Sequence, residues 1–173
     1  NEKYSLLAEL MYFSAGRVKE ITTIRVRNIN FQNQLLTLEK STTKARETRQ
    51  VPLGQETLQK LDSWIKANSL STDDFVFFTD SRNTKYGAGE KSVSTQAVDK
   101  KFNYTFDFIG LEGCSTHSFR RSRLTYLLEK GWNLRKIMDI SGHKTLASLQ
   151  KYLDSDRQET FEDYKELMAQ ESI

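Results

Sequence analysis

Apolar positions along the chain switch between two periods. Leu6, Leu7, Leu10, Met11 and Phe13 recur at three- and four-residue steps and predict an amphipathic helix, which Ala15-Gly16 ends. Val18, Ile21 and Ile24 then resume helical spacing. From Asn28 to Leu53 the period shortens: NINF, QLLTLEK and TRQVPL read as three short strands of a meander. Asn33-Gln34 makes the first turn and the polar stretch from Thr42 to Glu47 the second. The only proline, Pro52, suits a strand end. Leu58, Leu61, Trp64 and Ile65 mark another inward helical face, and FVFF reads as a short buried strand or extended segment. Residues 79 to 93 are polar, hold two glycines and show no period, which predicts a surface loop. Val98, Phe102 and Phe106 then predict a helix across residues 94–109.

The next stretch, Cys114 to Tyr152, concentrates the chemistry and holds both histidines. Ser115 or Thr116 caps a helix that closes at Gly131, so His117 and Arg120 share a face three residues apart. Asn133 caps a second helix, with Leu134, Ile137 and Ile140 inward and Gly142 at its end. Thr145 caps a third, with Leu146, Leu149 and Leu153 inward. Two imidazoles, a guanidinium and a phenol on short helices joined by tight turns suit one phosphate. A last helix over residues 156–169 would carry Phe161, Tyr164, Leu167 and Met168 on one side. The expected fold is a single α+β domain, mainly α-helical, with a small three-stranded antiparallel sheet near the N-terminal third.

Composition narrows the setting. At 173 residues, 28% charged and 37% hydrophobic, the chain is large enough for one substantial core. No apolar run approaches the roughly 20 residues that span a bilayer, and no signal peptide is visible. The lone Cys114 cannot form an internal disulfide, so a reducing, cytoplasmic setting is expected. One cysteine and two histidines do not supply a structural zinc site at these spacings. The net charge of +3 hides an asymmetry: residues 154–173 hold seven acids against Arg157 and Lys165, a balance of −5, leaving +8 on the preceding 153 residues. A basic body suits a polyanion, and the acidic tail reads as a separate element.

Five separated pieces, in order, then carry a resemblance: Gly16-Arg17-Val18-Lys19-Glu20, Lys44 in the turn before VPLG, His117-Ser118-Phe119-Arg120, Ser141-Gly142-His143, and Tyr152. An arginine with a glutamate three residues on, a lysine eight before the proline, and a histidine nine before a tyrosine are shared spacings. The chain resembles the catalytic domain of the tyrosine recombinase and phage integrase family over almost its whole length. One departure is local, since the family usually has Thr-Gly-x-Arg where this chain has Ser14-Ala15-Gly16-Arg17. The family's N-terminal helical domain, which clamps DNA from the opposite side, is expected to be absent from this chain.

The resemblance implies a metal-free DNA strand-transferase, a site-specific recombinase or integrase without cofactor. Tyr152 is the implied nucleophile, leaving a covalent 3′-phosphotyrosine. Arg17 and Arg120 are the implied clamp on the non-bridging oxygens, which planar forked donors suit better than a point charge. Lys44 is the implied acid for the 5′ oxygen, His117 exchanges the tyrosine proton, and His143 hydrogen-bonds the phosphate. Glu20 is expected to orient an arginine or cap locally. Arg46, Arg49, Arg82, Lys85, Lys91, Arg121 and Arg123 are candidate DNA-backbone contacts. The implied partner is a double-stranded recombination site, bound by a homotetramer on paired sites, with the isolated domain a monomer and no membrane involved. A type IB topoisomerase or invertase would use the same chemistry. An inactive DNA-binding module on the same scaffold is the reading from a different class.

Overall fold

A computed structural model describes residues 1–39, 47–79, 85–150, 165 and 168–170. The helix at the start, α1 (Glu2–Phe13), buries Leu6, Leu7, Leu10 and Met11 and lies against three later helices. Phe13, expected inward, is 39% exposed: it is the last residue of α1 and sits edge-on to Tyr12 beneath the Arg123 guanidinium. After the break at residues 14–17 comes the short α2 (Val18–Thr22), with Glu20, Ile21 and Thr22 buried. Helical spacing after Thr22 becomes only a 3-10 turn over Val26–Asn28.

The meander is present as an antiparallel sheet ordered β1 (Ile29–Asn30), β2 (Leu35–Leu38), β3 (Arg49–Pro52). Gln34, at φ 55°, makes the first turn. The register pairs Leu36 with Val51 and Leu38 with Arg49. Directly opposed residues share a face, so Arg49 emerges on the buried side with Leu36, Leu38 and Val51. Pro52 ends β3, as its missing N–H predicts.

Helix α3 (Gln55–Ala67) turns Leu58, Leu61 and Ile65 inward, and Trp64 donates to the Val76 carbonyl at 2.8 Å. The FVFF segment is extended, with isolated bridges at Phe75 and Phe78. The surface loop expected over residues 79–93 is only part of the picture. Its described second half runs back along FVFF through Phe75 N–H to Gly89 O, Thr79 N–H to Lys91 O and Val93 N–H to Phe77 O, and Val93 is buried. Backbone pairing there needs no side-chain period, which is why the sequence pattern missed it.

Helix α4 (Thr95–Phe108) is capped by Ser94 and buries Val98, Phe102 and Phe106. Then follow α5 (Thr116–Glu129), α6 (Leu134–Ser141) and α7 (Leu146–Gln150). Among the described residues, two apolar clusters result. The larger joins α1, the sheet, α3 and α4; the smaller unites Ala15 with Leu124, Leu127, Ile137 and Leu149. Each fully buried side chain of this kind contributes about 1.5–3 kcal/mol. The smaller cluster therefore ties the α1–α2 turn to all three helices of the histidine-bearing stretch. Leu146, expected inward, is 42% exposed at the first residue of α7, while Leu149 is buried.

One buried charge escaped the sequence pattern. Lys3 is 2% exposed, its Nζ donating to the Phe78 carbonyl at 3.2 Å and lying 5.4 Å from the Tyr4 ring centre. Among the described residues, no helix is long and apolar enough to cross a membrane.

Candidate active site

The site begins at the turn between α1 and α2. Ala15 has φ 47°, a left-handed conformation that a side chain resists and that turns the chain sharply. This is the position where the family pattern Thr-Gly-x-Arg has its glycine, so the departure leaves the turn in place. Gly16 is required for a different reason: a Cβ there would lie 2.7 Å from both Ile21 Cδ1 and Ser14 Oγ. Arg17 follows as the N-cap of α2, its N–H donating to Glu20 Oε2 at 2.8 Å and its Nη1 to Oε1 at 3.0 Å.

Glu20 is 1% exposed and gathers a second guanidinium. Arg49 Nη1 and Nη2 reach its two oxygens at 3.1 and 2.9 Å, a fork-to-fork pair. Arg49 Nε donates to the Ile140 carbonyl at 3.1 Å, linking β3 to the end of α6. Burial alone would push the Glu20 carboxyl upward; the Arg49 hydrogen bonds and charge, with Arg17, hold it below the ordinary value. Glu20 thus holds the Arg17 guanidinium and accepts from the N-cap N–H of α2. In the sequence Arg49 shares a basic, polar run with Arg46, which reads as surface. The available signal was strand parity, since it lies two residues before the inward Val51.

Arg120, on α5, is 1% exposed. Its Nη1 donates to the Ala15 carbonyl, and Nη2 donates to the Ser141 carbonyl at 2.9 Å. Nη2 also lies 3.1 Å from His143 Nε2. Helix α5 starts cleanly because Ser115 accepts from the His117 N–H while Ser118 Oγ accepts from the Ser115 N–H. His117 is exposed one turn before Arg120, and its neighbour Thr116 is buried and donates to Asp99 at 2.7 Å.

Asn133 caps α6, accepting from the Lys136 N–H, and Gly142 ends it at φ 71°. A Cβ on Gly142 would also come within 3.1 Å of Arg49 Cδ. The tight exit places His143, 8% exposed, beside Arg120. Burial first, then the charges of Arg120, Arg17 and Arg49, lower its pKa to about 4, with Glu20 opposing. It is therefore neutral near pH 7. Beside it opens a cavity of about 470 Å³ lined by Thr48, Arg49, Arg135, Gly142, His143 and Lys144. Lys144 pairs with Glu47 at 3.2 Å across its rim.

Arg17, Glu20, Arg49, Arg120 and His143 are thus brought together from four separated stretches. Two guanidiniums, those of Arg17 and Arg49, hold one carboxylate and a third, that of Arg120, lies beside His143, an excess of positive charge suited to an anion. Lys44, Arg46, Arg82 and Tyr152 lie outside the described residues. Arg121 is exposed; Lys85 and Lys91 are exposed beside the Tyr86 ring. Arg123 is half-buried, its guanidinium 5.3–5.5 Å from the ring centres of Tyr12, Phe13 and Tyr126. Among the described residues, no group of three or more His, Cys, Asp or Glu is placed to hold a metal ion.

A model of the phage integrase family matches residues 1–159. The chain belongs to that family. It is 25% identical over 173 residues to a tyrosine recombinase of Pseudothermotoga lettingae, covering 98% of this chain and 56% of that protein. It is 30% identical over 155 residues to the tyrosine recombinase XerC of Proteus mirabilis, covering 88% and 47%. The chain spans about half the length of these curated relatives. Among solved structures, XerA recombinase aligns with a TM-score of 0.73 at 18% identity, covering 96% of this chain and 63% of that one. The Tn1549 transposon integrase, in complex with transposon right end DNA, aligns with a TM-score of 0.74 at 13% identity, covering 96% and 59%. These likenesses establish the tyrosine-recombinase catalytic fold.

Proposed function

We propose that this chain is the catalytic domain of a site-specific DNA recombinase or integrase that breaks and rejoins strands without metal or ATP. The observation that carries the reading is the cluster in which Arg17 and Arg49 hold the buried Glu20 and the buried Arg120 lies beside a neutral His143, in a chain of this family. Such a cluster, with its cationic excess over a single carboxylate, is built for one phosphodiester.

In this reading Tyr152 Oη attacks the scissile phosphorus. A Tyr–O–P bond forms as the P–O5′ bond breaks, so the phosphodiester energy is kept for religation. The tyrosine proton passes to His117, and Lys44 gives a proton to the departing 5′ oxygen. Arg17 and Arg120 neutralise the non-bridging oxygens, the charge that Mg²⁺ would otherwise offset. His143 hydrogen-bonds the phosphate. The partner is double-stranded DNA, with a tetramer assembling on paired sites in the complete protein. Lys85, Lys91 and Arg121 would contact backbone phosphates, which position DNA without reading its sequence.

The test is covalent capture. Nicked duplexes with a randomised segment are incubated with the protein, and strands attached to it are recovered. An adduct is expected with the wild-type chain and none with Tyr152→Phe, whose duplex affinity stays within a few fold because one hydroxyl is lost from a mainly electrostatic interface. An adduct surviving in Tyr152→Phe rejects the nucleophile. Binding with no adduct from the wild-type chain favours the inactive DNA-binding module.

A further inference from the structure

Arg49 is the arginine of the cluster that the proposed chemistry does not use. Each of its guanidinium nitrogens is already engaged. Nη1 and Nη2 hold the two Glu20 oxygens at 3.1 and 2.9 Å, and Nε donates to the Ile140 carbonyl at 3.1 Å. Its side chain is 10% exposed, against 20% for Arg17. Among the described residues the Arg17 guanidinium is held through Nη1 alone, by the same Glu20 Oε1 that Arg49 Nη1 reaches. The two arginines thus differ in kind. Arg17 keeps Nε and Nη2 for an anion, whereas the Arg49 fork is filled.

The Ile140 carbonyl matters as much as the carboxylate. Ile140 and Ser141 are the last two residues of α6, whose final carbonyls have no partner within the helix and form its negative dipole end. Arg49 takes the first and Arg120 the second. The other contacts of these two guanidiniums lie on the α1–α2 segment, at Glu20 and at the Ala15 carbonyl. Two braces therefore join the segment that carries Arg17 to the exit that carries His143. Gly142 fits the same arrangement, since a Cβ there would lie 3.1 Å from both Arg49 Cδ and Nη1. Arg120 is the brace that must also serve the phosphate, and Arg49 is the one that need not. We propose that Arg49 is a positioning residue that does not touch the phosphate: through Glu20 it aims Arg17, and through Ile140 it keeps the His143 turn at a set distance from Arg17 while Arg120 engages DNA. This rests on the recombinase reading above. Lysine is no substitute, because one ammonium cannot reproduce a planar fork that spans a carboxylate on α2 and a carbonyl on α6.

Arginine Nε–H signals, traced from the backbone along each side chain, test this in the wild-type protein. Inorganic phosphate should shift the Arg17 signal and leave that of Arg49 in place. A titration that shifts Arg49 alongside Arg17, or that leaves Arg17 unmoved, overturns the proposal. Arg49→Lys keeps the charge but should shift the Arg17 signal with no phosphate present. It should also form adduct about thirtyfold more slowly at saturating duplex, with duplex affinity within about threefold. In an Arg17→Ala background the same change should slow adduct formation by no more than about threefold, because the residue it acts through is gone. An equal loss in both backgrounds overturns the aiming of Arg17, and a fall in affinity that accounts for the whole loss makes Arg49 a DNA contact instead. If the wild-type chain forms no adduct, the recombinase reading fails, and the phosphate titration still decides which arginine meets an anion. If Arg49→Lys does not fold, that wild-type titration decides alone.

Discussion

Glu20 is the residue on which the arginines depend. Replacing it with alanine leaves Arg17 and Arg49 facing each other without their shared carboxylate. Breaking a buried pair from one side costs about 3–5 kcal/mol, and Arg17 is 20% exposed, so about 3 kcal/mol is expected from urea unfolding. Acid should undo the same cluster in two stages. An unfolded imidazole titrates near 6.5 and His143 near 4, so between these values the unfolded chain binds the extra proton. The His143 contribution is complete above pH 6.5 and fades as pH falls toward 4, by about 1–3 kcal/mol after solvent screening. Glu20, held low by Arg49 and Arg17 against its burial, adds a further loss as pH drops below the ordinary carboxylate value. Unfolding free energies from pH 7.5 to 4 should show this slope in the wild type and a flatter one in His143→Asn. Equal slopes would reject the buried neutral imidazole. Lys44→Ala tests the proposed acid: cleavage should slow far more with an ordinary 5′ oxygen than with a 5′ bridging sulfur, which leaves without a proton. Equal losses on both substrates would remove Lys44 from that role, and a rate that fell with EDTA would overturn the metal-free mechanism.

At the scale of elements, the α1–α2 turn tests which backbone term wins. Ala15 is buried with φ 47°, so glycine there relieves about 1–2 kcal/mol of left-handed strain. Glycine also loses about 0.5–1 kcal/mol in chain entropy and about 0.8 kcal/mol for one buried methyl. The terms nearly cancel, and Ala15→Gly should melt within a few degrees of wild type. Gly16→Ala regains that chain entropy but sets it against a steric clash. Its Cβ would meet Ile21 and Ser14 inside a packed turn, and a loss of about 1–3 kcal/mol is expected. A Gly16→Ala protein as stable as the wild type would mean that the turn relaxes freely. The sequence made helix α4, the meander and the capped helices α5 and α6 legible, because each carries a regular apolar period and a cap or glycine at its end. What it hid is equally physical. The pairing of residues 85–93 with FVFF uses backbone groups, which leave no residue pattern. Arg49 was obscured because a basic run reads as solvated surface unless strand parity is followed inward from Val51. Lys3 lies buried on a helix whose apolar stripe is wide enough to enclose a lysine stem.

For the whole molecule, charge is divided between a basic body and an acidic end. Residues 154–173 carry −5 against +8 on the rest. Phe161, Tyr164, Leu167 and Met168 recur at three- and four-residue steps, an apolar stripe that calls for a covering surface. Residues 168–170 are helical, and Met168 is 41% exposed. An amphipathic segment of this length can fold back on its own domain or dock on a second copy, and a tetramer on paired sites would supply the second copy. Tyr152 lies a few residues upstream, so docking of the tail would bear on where the tyrosine sits. Deleting residues 157–173 should leave single half-site binding largely intact, because the basic body and its arginine cluster remain. Pairing of two sites should weaken and adduct yield should change. Gel-shift binding, paired-site assembly and covalent capture should be compared for the truncated and complete proteins, each carrying whatever sequence flanks these residues in its gene. Unchanged assembly and adduct yield would make the tail a surface appendage. A truncated protein that unfolds would make it part of its own core, where the stripe is covered in cis and docking between protomers has no role.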